Sequence, residues 1–75
     1  MMDGQHKKIL DWMQSHCGIT TKEACDNLRI FRLASRISEF REMPGYTVAD
    51  AWEYKYDTEG KVIERWKRYW VVKDA

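Results

Sequence analysis

A group of arginine side chains near the middle of the chain has the chemistry needed to bind a polyanion. Four arginines fall between residues 29 and 42, opposed there by two glutamates, Glu39 and Glu42. A guanidinium can bind phosphate oxygens or both acceptors of a guanine edge, and a hydroxyl can add a shorter polar contact. The candidate DNA contacts in this segment are Arg29, Arg32, Ser35 and Arg36. The alternative is a solvated face on which Arg32 or Arg36 pairs with a nearby glutamate.

A second basic segment lies near the C-terminus and is interleaved with aromatic residues. Its cations are Lys61, Arg65, Lys67 and Arg68, which could bind the phosphate backbone or simply be solvated. Trp66 and Trp70 belong to the same segment. A tryptophan can stack on the bases of a single strand, but at alternating strand positions we expect both rings to pack in the core or in cross-strand pairs. The candidate DNA contacts here are Lys61, Arg65 and Lys67.

Other reactive side chains do not form a recognisable site. The histidines and cysteines are His6, His16, Cys17 and Cys25, and no pair of them has the close repeat spacing of zinc ligands. We therefore expect no metal, no cofactor, and two reduced cysteines that are buried as small apolar residues. Because no Ser–His–acid arrangement, Gly-rich phosphate loop or pair of carboxylates indicates catalysis, the sequence predicts a protein that is not an enzyme.

Length and charge limit the class of protein further. The chain of 75 residues predicts one small domain, residues 1–75, whose four Trp, four Tyr and two Phe help to form a core. The formal charge is only +1, yet residues 29–45 hold four Arg against two Glu. No apolar run is long enough to cross a bilayer, and the N-terminus lacks the apolar segment of a signal peptide. We expect a cytoplasmic protein with no membrane partner.

Three helices are predicted in the first part of the chain. Helix 1 is expected over about 5–16, helix 2 over about 21–28 and helix 3 over about 31–42. Helix 2 begins with a capping box, in which Thr20 and Glu23 each bond the other's backbone N–H. The apolar stripe of helix 3 consists of Ile30, Leu33, Ala34, Ile37 and Phe40. This stripe leaves Arg32, Ser35, Arg36 and Glu39 outward or flanking, whereas Arg41 lies nearer the buried side and is interpreted as structural.

The rest of the chain is predicted to form a β-hairpin over about 47–72. The segment 57–60, Asp-Thr-Glu-Gly, is typical of a tight turn with a left-handed glycine. Counting outward from a pairing of Asp57 with Lys61 gives the register, although the turn could shift by one residue. The predicted cross-strand pairs are Trp52 with Trp66, Glu53 with Arg65 and Asp50 with Arg68. A short additional strand is expected near Ile19.

This order of elements predicts an α+β fold, the winged helix-turn-helix, with helix 3 in the DNA major groove and the hairpin as the wing. The chain also resembles the small helix-turn-helix proteins common in phages and prophages, over about residues 7–72. The resemblance is carried by Gly18-Ile19-Thr20, Glu23-Ala24, Leu33-Ala34-Ser35-Arg36-Ile37 with Phe40-Arg41, Gly45-Tyr46 and a Trp-bearing hairpin that ends at Tyr69. It implies a winged-helix fold and binding of double-stranded DNA, as a phage or prophage regulator of transcription or an excisionase-like architectural factor in a bacterial host cell.

A protein-binding role is the alternative function. Small phage winged helices can inhibit a host defence or transcription protein, and a near-neutral chain with a tryptophan-rich hairpin would suit a protein partner. An exposed pair of Trp66 and Trp70 would favour this alternative. A homodimer is also left open, with Met1–Lys8 and the edge strand of the hairpin as its candidate surfaces.

Overall fold

The computed structural model describes residues 4–74, in which helices pack against a three-stranded antiparallel sheet whose first strand lies between the first two helices in the chain. Helix α1 spans Gly4–Ser15, strand β1 Ile19–Thr20, and helix α2 Thr21–Glu23, which continues as a π-helical segment over Ala24–Leu28. Helix α3 spans Leu33–Glu42, and the hairpin consists of β2, Tyr46–Tyr56, and β3, Val62–Lys73. The predicted fold class is confirmed, including the short strand at Ile19. Residues 1–3 of the Met1–Lys8 candidate dimer surface lie outside the described residues.

The start of α2 has the capping box that the sequence predicts. The Thr20 hydroxyl accepts from the backbone N–H of Glu23 at 3.2 Å, and the Glu23 carboxylate accepts from the backbone N–H of Thr20 at 2.9 Å. Both N–H groups would otherwise lack a partner at the end of a helix. Because Thr20 is also the last residue of β1, the capping box joins α2 directly to the sheet.

The turn before α3 is longer than the sequence predicts. The sequence predicts helix 3 from about residue 31, whereas α3 begins at Leu33. Arg29 has a left-handed φ of 57° and Arg32 has φ −128° and ψ 61°, so neither has helical backbone angles. Phe31 lies between them and is 70% exposed, while Ile30 reaches the core from the turn. The apolar pattern alone therefore overestimates the length of the helix by two residues at its start.

The core lies between the helices and the base of the hairpin. Its buried apolar residues are Ile9, Ile19, Ala24, Ile30, Leu33, Ile37, Phe40 and Val71. The three that belong to α3 are spaced four and three residues apart, which keeps them on one face of a helix. Ala34 is exposed, so its place in the predicted stripe is wrong. It lies about 100° around the helix from Leu33, away from the face that packs.

The hairpin contains a β-bulge that the sequence pattern does not reveal. Next to the turn, the Asp57 N–H donates to the Lys61 carbonyl at 2.9 Å, and Tyr56 pairs with Val62, as the predicted register requires. The register then shifts, because Lys55 pairs with Glu64 and the residue between Val62 and Glu64 has no partner. Every pair beyond the bulge is displaced by one residue from the prediction.

The displaced register changes the face on which each β3 side chain lies. The predicted partners of Trp52, Glu53 and Asp50 are wrong, and the observed partners are Lys67, Trp66 and Tyr69, respectively. A shift of one residue moves the side chains of a strand to the opposite face of the sheet. Val71 is therefore buried in the core, opposite Val48. Trp66 and Trp70 are half-buried on the other face, opposite Glu53 and Ala49, so their predicted core position is wrong.

Neither cysteine is fully buried, contrary to the expectation from the sequence. Cys17 is exposed and Cys25 is partly buried, and both are free thiols. Cys17 lies in the connection between α1 and β1, where Ile19 rather than Cys17 enters the core. The prediction from residue type fails for Cys17 because Ile19, the first residue of β1, fills the core at this point.

Candidate nucleic-acid interface

The turn before α3 and the first turn of that helix carry the first group of predicted DNA contacts. Arg29, Arg32 and Ser35 are exposed there. Within residues 4–74, neither Arg29 nor Arg32 makes an ion pair. An exposed guanidinium without a carboxylate partner can bind a phosphate or a base edge without first breaking a salt bridge.

Arg36 has different surroundings. Its Nε lies 2.8 Å from Oε1 of Glu39, and its Nη1 donates to Oε1 of Gln5 at 3.3 Å. The same Glu39 oxygen lies 3.0 Å from Nε2 of His6, which is buried and packs edge-on against Phe40. Arg36 is thus held between α3 and α1, as the ion-pair alternative describes. It would have to leave Glu39 to contact DNA.

The two faces of the hairpin have different neighbours. The inner face, against which α3 packs, carries Tyr46, Val48, Asp50, Trp52, Tyr54 and Tyr56 of β2 and Val62, Arg65, Lys67, Tyr69 and Val71 of β3. The outer face carries the alternate residues, among them Glu53, Lys55, Glu64, Trp66, Arg68 and Trp70. The ring of Phe40 in α3 contacts the ring of Tyr46 at 5.5 Å between centroids, so α3 borders the inner face.

Two of the predicted contacts, Arg65 and Lys67, lie on the inner face. Their charged groups are 5.1 and 5.2 Å, respectively, from the centroid of the Trp52 ring, which is a cation–π distance. Asp50 Oδ2 lies 2.7 Å from Nη2 of Arg41, and Asp50 Oδ1 lies 3.8 Å from Nζ of Lys67. Asp50 is the one carboxylate among the inner-face residues, so cations outnumber it and the surface beside α3 is positive.

The outer face is different because Arg68 is surrounded by carboxylates. Its Nε donates to both oxygens of Glu53 at 3.0 Å, and its Nη1 donates to Oε1 of Glu23 at 2.8 Å. The indole of Trp66 also donates to Glu53, at 2.6 Å. The hydrogen bonds from Arg68 and then from Trp66 lower the pKa of Glu53, and the bond to Glu53 raises the pKa of Arg68. Arg68 therefore serves the fold, although the basic segment had made it a possible phosphate contact.

The remaining predicted contact, Lys61, lies at the tip of the hairpin. Its side chain is 78% exposed and lies 4.0 Å from a Glu59 oxygen. The structure thus brings Arg65 and Lys67 together with Arg41 near the C-terminal end of α3, while Arg29, Arg32 and Ser35 lie at the N-terminal end. The ten residues of α3 separate the two groups by about 15 Å along the helix axis.

Three aromatic rings on the inner face are exposed, and the sequence pattern predicts no binding role for them. Trp52 is 49% exposed, Tyr54 45% and Tyr56 57%. The alternating pattern places these three rings on one face, but the predicted register pairs Trp52 with Trp66, which would cover the Trp52 ring. The half-burial of Trp66 and Trp70 also means that the exposed pair that would favour a protein partner is not present.

Metal-binding clusters and membrane-spanning helices are absent from the described residues. Between residues 4 and 74, no group of three or more His, Cys, Asp or Glu side chains is arranged to hold a metal ion. In the same part of the chain, no helix has both the length and the apolar character needed to cross a membrane.

Comparison with known proteins gives a family match. A family model described as a winged helix-turn-helix domain matches residues 4–74. No curated protein and no solved structure matches the chain. The family match extends from the start of α1 to beyond the end of β3, so it includes every element described above.

Proposed function

The chain belongs to the winged helix-turn-helix domain family, and from this premise we propose that it binds double-stranded DNA with α3 in the major groove. In a helix-turn-helix the second helix of the motif contacts base edges while the first crosses the backbone. Here the second helix is α3 and the first is α2. The inner face of the hairpin lies against the flanking phosphates. The whole of residues 1–75 acts as one DNA-binding domain in this proposal.

The observation that best supports this proposal is the position of the arginines that lack a carboxylate partner. Arg29 and Arg32, next to the start of α3, have no ion pair within the described residues, and Arg65 is exposed beside Trp52. Arg68, on the outer face, is instead bonded to two glutamates. Within residues 4–74, the arginines that lack a carboxylate partner therefore border α3, although the chain as a whole carries a charge of only +1.

Each candidate residue has a distinct part in the proposed complex. Arg32 and Ser35 contact base edges, because they lie at the N-terminal end of the helix that enters the groove. Phosphate contacts come from Arg29, Lys61, Arg65 and Lys67. Arg36 joins the interface only after it leaves Glu39.

We further propose a regulatory or architectural role without catalysis. The resemblance to small phage and prophage proteins supports a transcription regulator or an excisionase-like factor that acts in the cytoplasm of a bacterial host. Both roles need the same property, which is binding to a duplex through the positive surface beside α3.

The salt dependence of duplex binding tests the proposal. About five phosphate contacts predict that log K falls against log salt with a slope of roughly −4 to −5. The measurement is a titration of a labelled duplex at several salt concentrations. A flat salt response, or no duplex binding at low salt, would contradict the proposal.

Matched variants locate the contacts within the same assay. Arg65→Ala and Lys67→Ala should each reduce the size of the slope by about 1, because each removes one phosphate contact. Lys55→Ala is the control, since Lys55 is an exposed cation on the outer face of the same hairpin. An equal effect of Lys55→Ala would show that the surface beside α3 is not the one that binds.

A further inference from the structure

The distal half of the hairpin carries aromatic rings that the proposed duplex contact does not use, because that contact involves only the cations Lys61 and Arg65 of this region. From Ala51 to Arg65 every residue is exposed except Glu53 and Asp57, which are partly buried. On the inner face this region presents Trp52, Tyr54 and Tyr56 in a row, at alternate positions of β2. Inside a duplex the faces of the bases are covered by their neighbours, so rings on this surface have nothing to stack on in intact double-stranded DNA.

We propose that this row of rings, Trp52, Tyr54 and Tyr56, is a stacking platform for the bases of an unpaired nucleic-acid strand. Every base has an aromatic face, so a series of exposed rings can bind successive bases without regard to sequence. The rings of Tyr54 and Tyr56 are 6.3 Å apart between centroids and tilted by 37°. That separation is close to the ~6.6–6.8 Å between alternate residues of any strand, so the backbone of β2 sets the spacing of the rings.

The charges around the platform match those of a polynucleotide. The charged groups of Arg65 and Lys67 lie over the Trp52 ring, 5.1 and 5.2 Å from its centroid, and they move from the ring to the phosphate when a base stacks there. The nearest inner-face carboxylate, Asp50, is already occupied by Arg41 at 2.7 Å. Aromatic rings beside cations are the two components of surfaces that bind single strands.

Charge also argues against a second copy of this chain as the occupant. Two identical platforms face to face would bring Arg65 and Lys67 of one copy against the same cations of the other, which is unfavourable. An acidic protein would match the positive charge of Arg65 and Lys67, but it would not place an aromatic ring against each of the three exposed rings. An unpaired strand supplies both phosphate and ring at each nucleotide.

The probe that tests this inference is a labelled oligothymidine of about 12 nucleotides, within the ~4–16 that small single-strand-binding folds cover. Its binding is measured by fluorescence anisotropy beside that of a duplex of the same length. Trp52→Ala and Tyr54→Ala should each weaken binding of the oligothymidine by about 5- to 150-fold, the loss expected for one base–aromatic stack. Trp52→Phe and Tyr54→Phe keep a ring and should retain most of the affinity.

Several outcomes would overturn the inference. These are failure of the oligothymidine to bind at low salt, equal binding by the parent and the alanine variants, and losses only when Arg65 or Lys67 is replaced. An equal loss of duplex binding in Trp52→Ala would also contradict it, since the rings would then contact paired DNA. The duplex measurement separates the two proposals. If the parent protein binds the oligothymidine but not the duplex, the result contradicts the complex with α3 in the major groove and does not contradict the stacking platform. Thermal melting of each variant confirms that its fold is intact.

Discussion

Gly18 lies in the connection between α1 and β1, where two large side chains of β3 pack against its backbone. A Cβ at this position would lie 2.7 Å from Cγ of Arg68 and 2.9 Å from Cε2 of Trp70. Gly18 also has a φ of +82°, and its carbonyl accepts from the indole of Trp12 at 2.8 Å. The half-buried position of Trp70 thus depends on the absence of a side chain at Gly18.

We expect Gly18→Ala to destabilise the fold by more than its backbone angle alone explains. The left-handed angle costs a residue with a Cβ about 1–2 kcal/mol. An added cost arises because Arg68, which is held by two glutamates, cannot move without loss of hydrogen bonds. Urea denaturation gives the free energy of unfolding.

Gly60→Ala is the matched control for that measurement. Gly60 has a similar φ of +85°, but no atom lies within 4 Å of an added Cβ. Its substitution should therefore cost only the backbone contribution, about 1–2 kcal/mol. Equal losses in the two variants would show that the packing of Arg68 and Trp70 over Gly18 contributes nothing to stability.

At the scale of elements, one hydrogen-bonded group joins the hairpin to the helix-turn-helix. Glu23 completes the capping box of α2 and also accepts from Arg68 of β3, which in turn bonds Glu53 of β2. Three elements, α2, β2 and β3, are therefore joined through one guanidinium. Because the inner face is the reverse side of the same strands, this connection sets the orientation of Arg65 and Lys67 relative to α3.

The lowered pKa of Glu53 predicts that this connection weakens in acid. A carboxyl group whose pKa is lower in the folded than in the unfolded chain stabilises the fold above its unfolded value. For Glu53 the ordinary value is 4.5, so its contribution is complete well above that pH and is lost as the pH falls through the lower folded value. The difference in melting temperature between the parent and Glu53→Gln should therefore be largest near neutral pH and shrink in acid.

Glu64→Gln is the control for the acid series. Glu64 lies on the same outer face and makes no ion pair within residues 4–74. We expect this variant to melt close to the parent at neutral pH. If Glu53→Gln also melts close to the parent at neutral pH, the connection through Arg68 does not contribute to stability.

At the scale of the whole molecule, the hairpin makes the protein elongated. The principal extents are 46 × 25 × 22 Å. The core lies at one end, and the distal half of the hairpin extends from it with its side chains largely exposed. In the proposed complex, this shape lets α3 and the inner face of the wing contact different parts of one nucleic acid.

The two contact regions should differ in how they affect sequence preference. Arg32→Ala should relax the preference at one base by about 1–3 kcal/mol if Arg32 binds a guanine edge with both nitrogens. Lys67→Ala should weaken all duplexes about equally, because phosphates carry no sequence information. Arg36→Ala should have a smaller effect than Arg32→Ala, since Glu39 already occupies Arg36.

The measurement compares a selected binding site with random duplex for each of these variants. A change in sequence preference in Lys67→Ala with none in Arg32→Ala would reverse the proposed assignment and make the wing the element that contacts bases. Lys55→Ala again serves as the control with an exposed cation on the outer face.

The sequence by itself determined the features that depend on near neighbours in the chain. The capping box joins Thr20 to Glu23, three residues apart, and the turn at the hairpin tip depends on Asp57 and Gly60. The spacing of Leu33, Ile37 and Phe40 likewise predicts one buried face within a single helix. Backbone geometry constrains such short segments strongly, so residue type and spacing are enough to predict them.

Tertiary structure alone decided which face of β3 meets the core. Residues 62–73 offer apolar side chains at both even and odd positions, so alternation does not choose between Trp70 and Val71 as the residue to bury. Packing chooses Val71, and a bulge beside Tyr56 supplies the shift that this requires. This shift of one residue places Arg65 and Lys67 on the face next to α3 and Arg68 on the face next to Glu23, because side chains alternate strictly between the faces of a sheet.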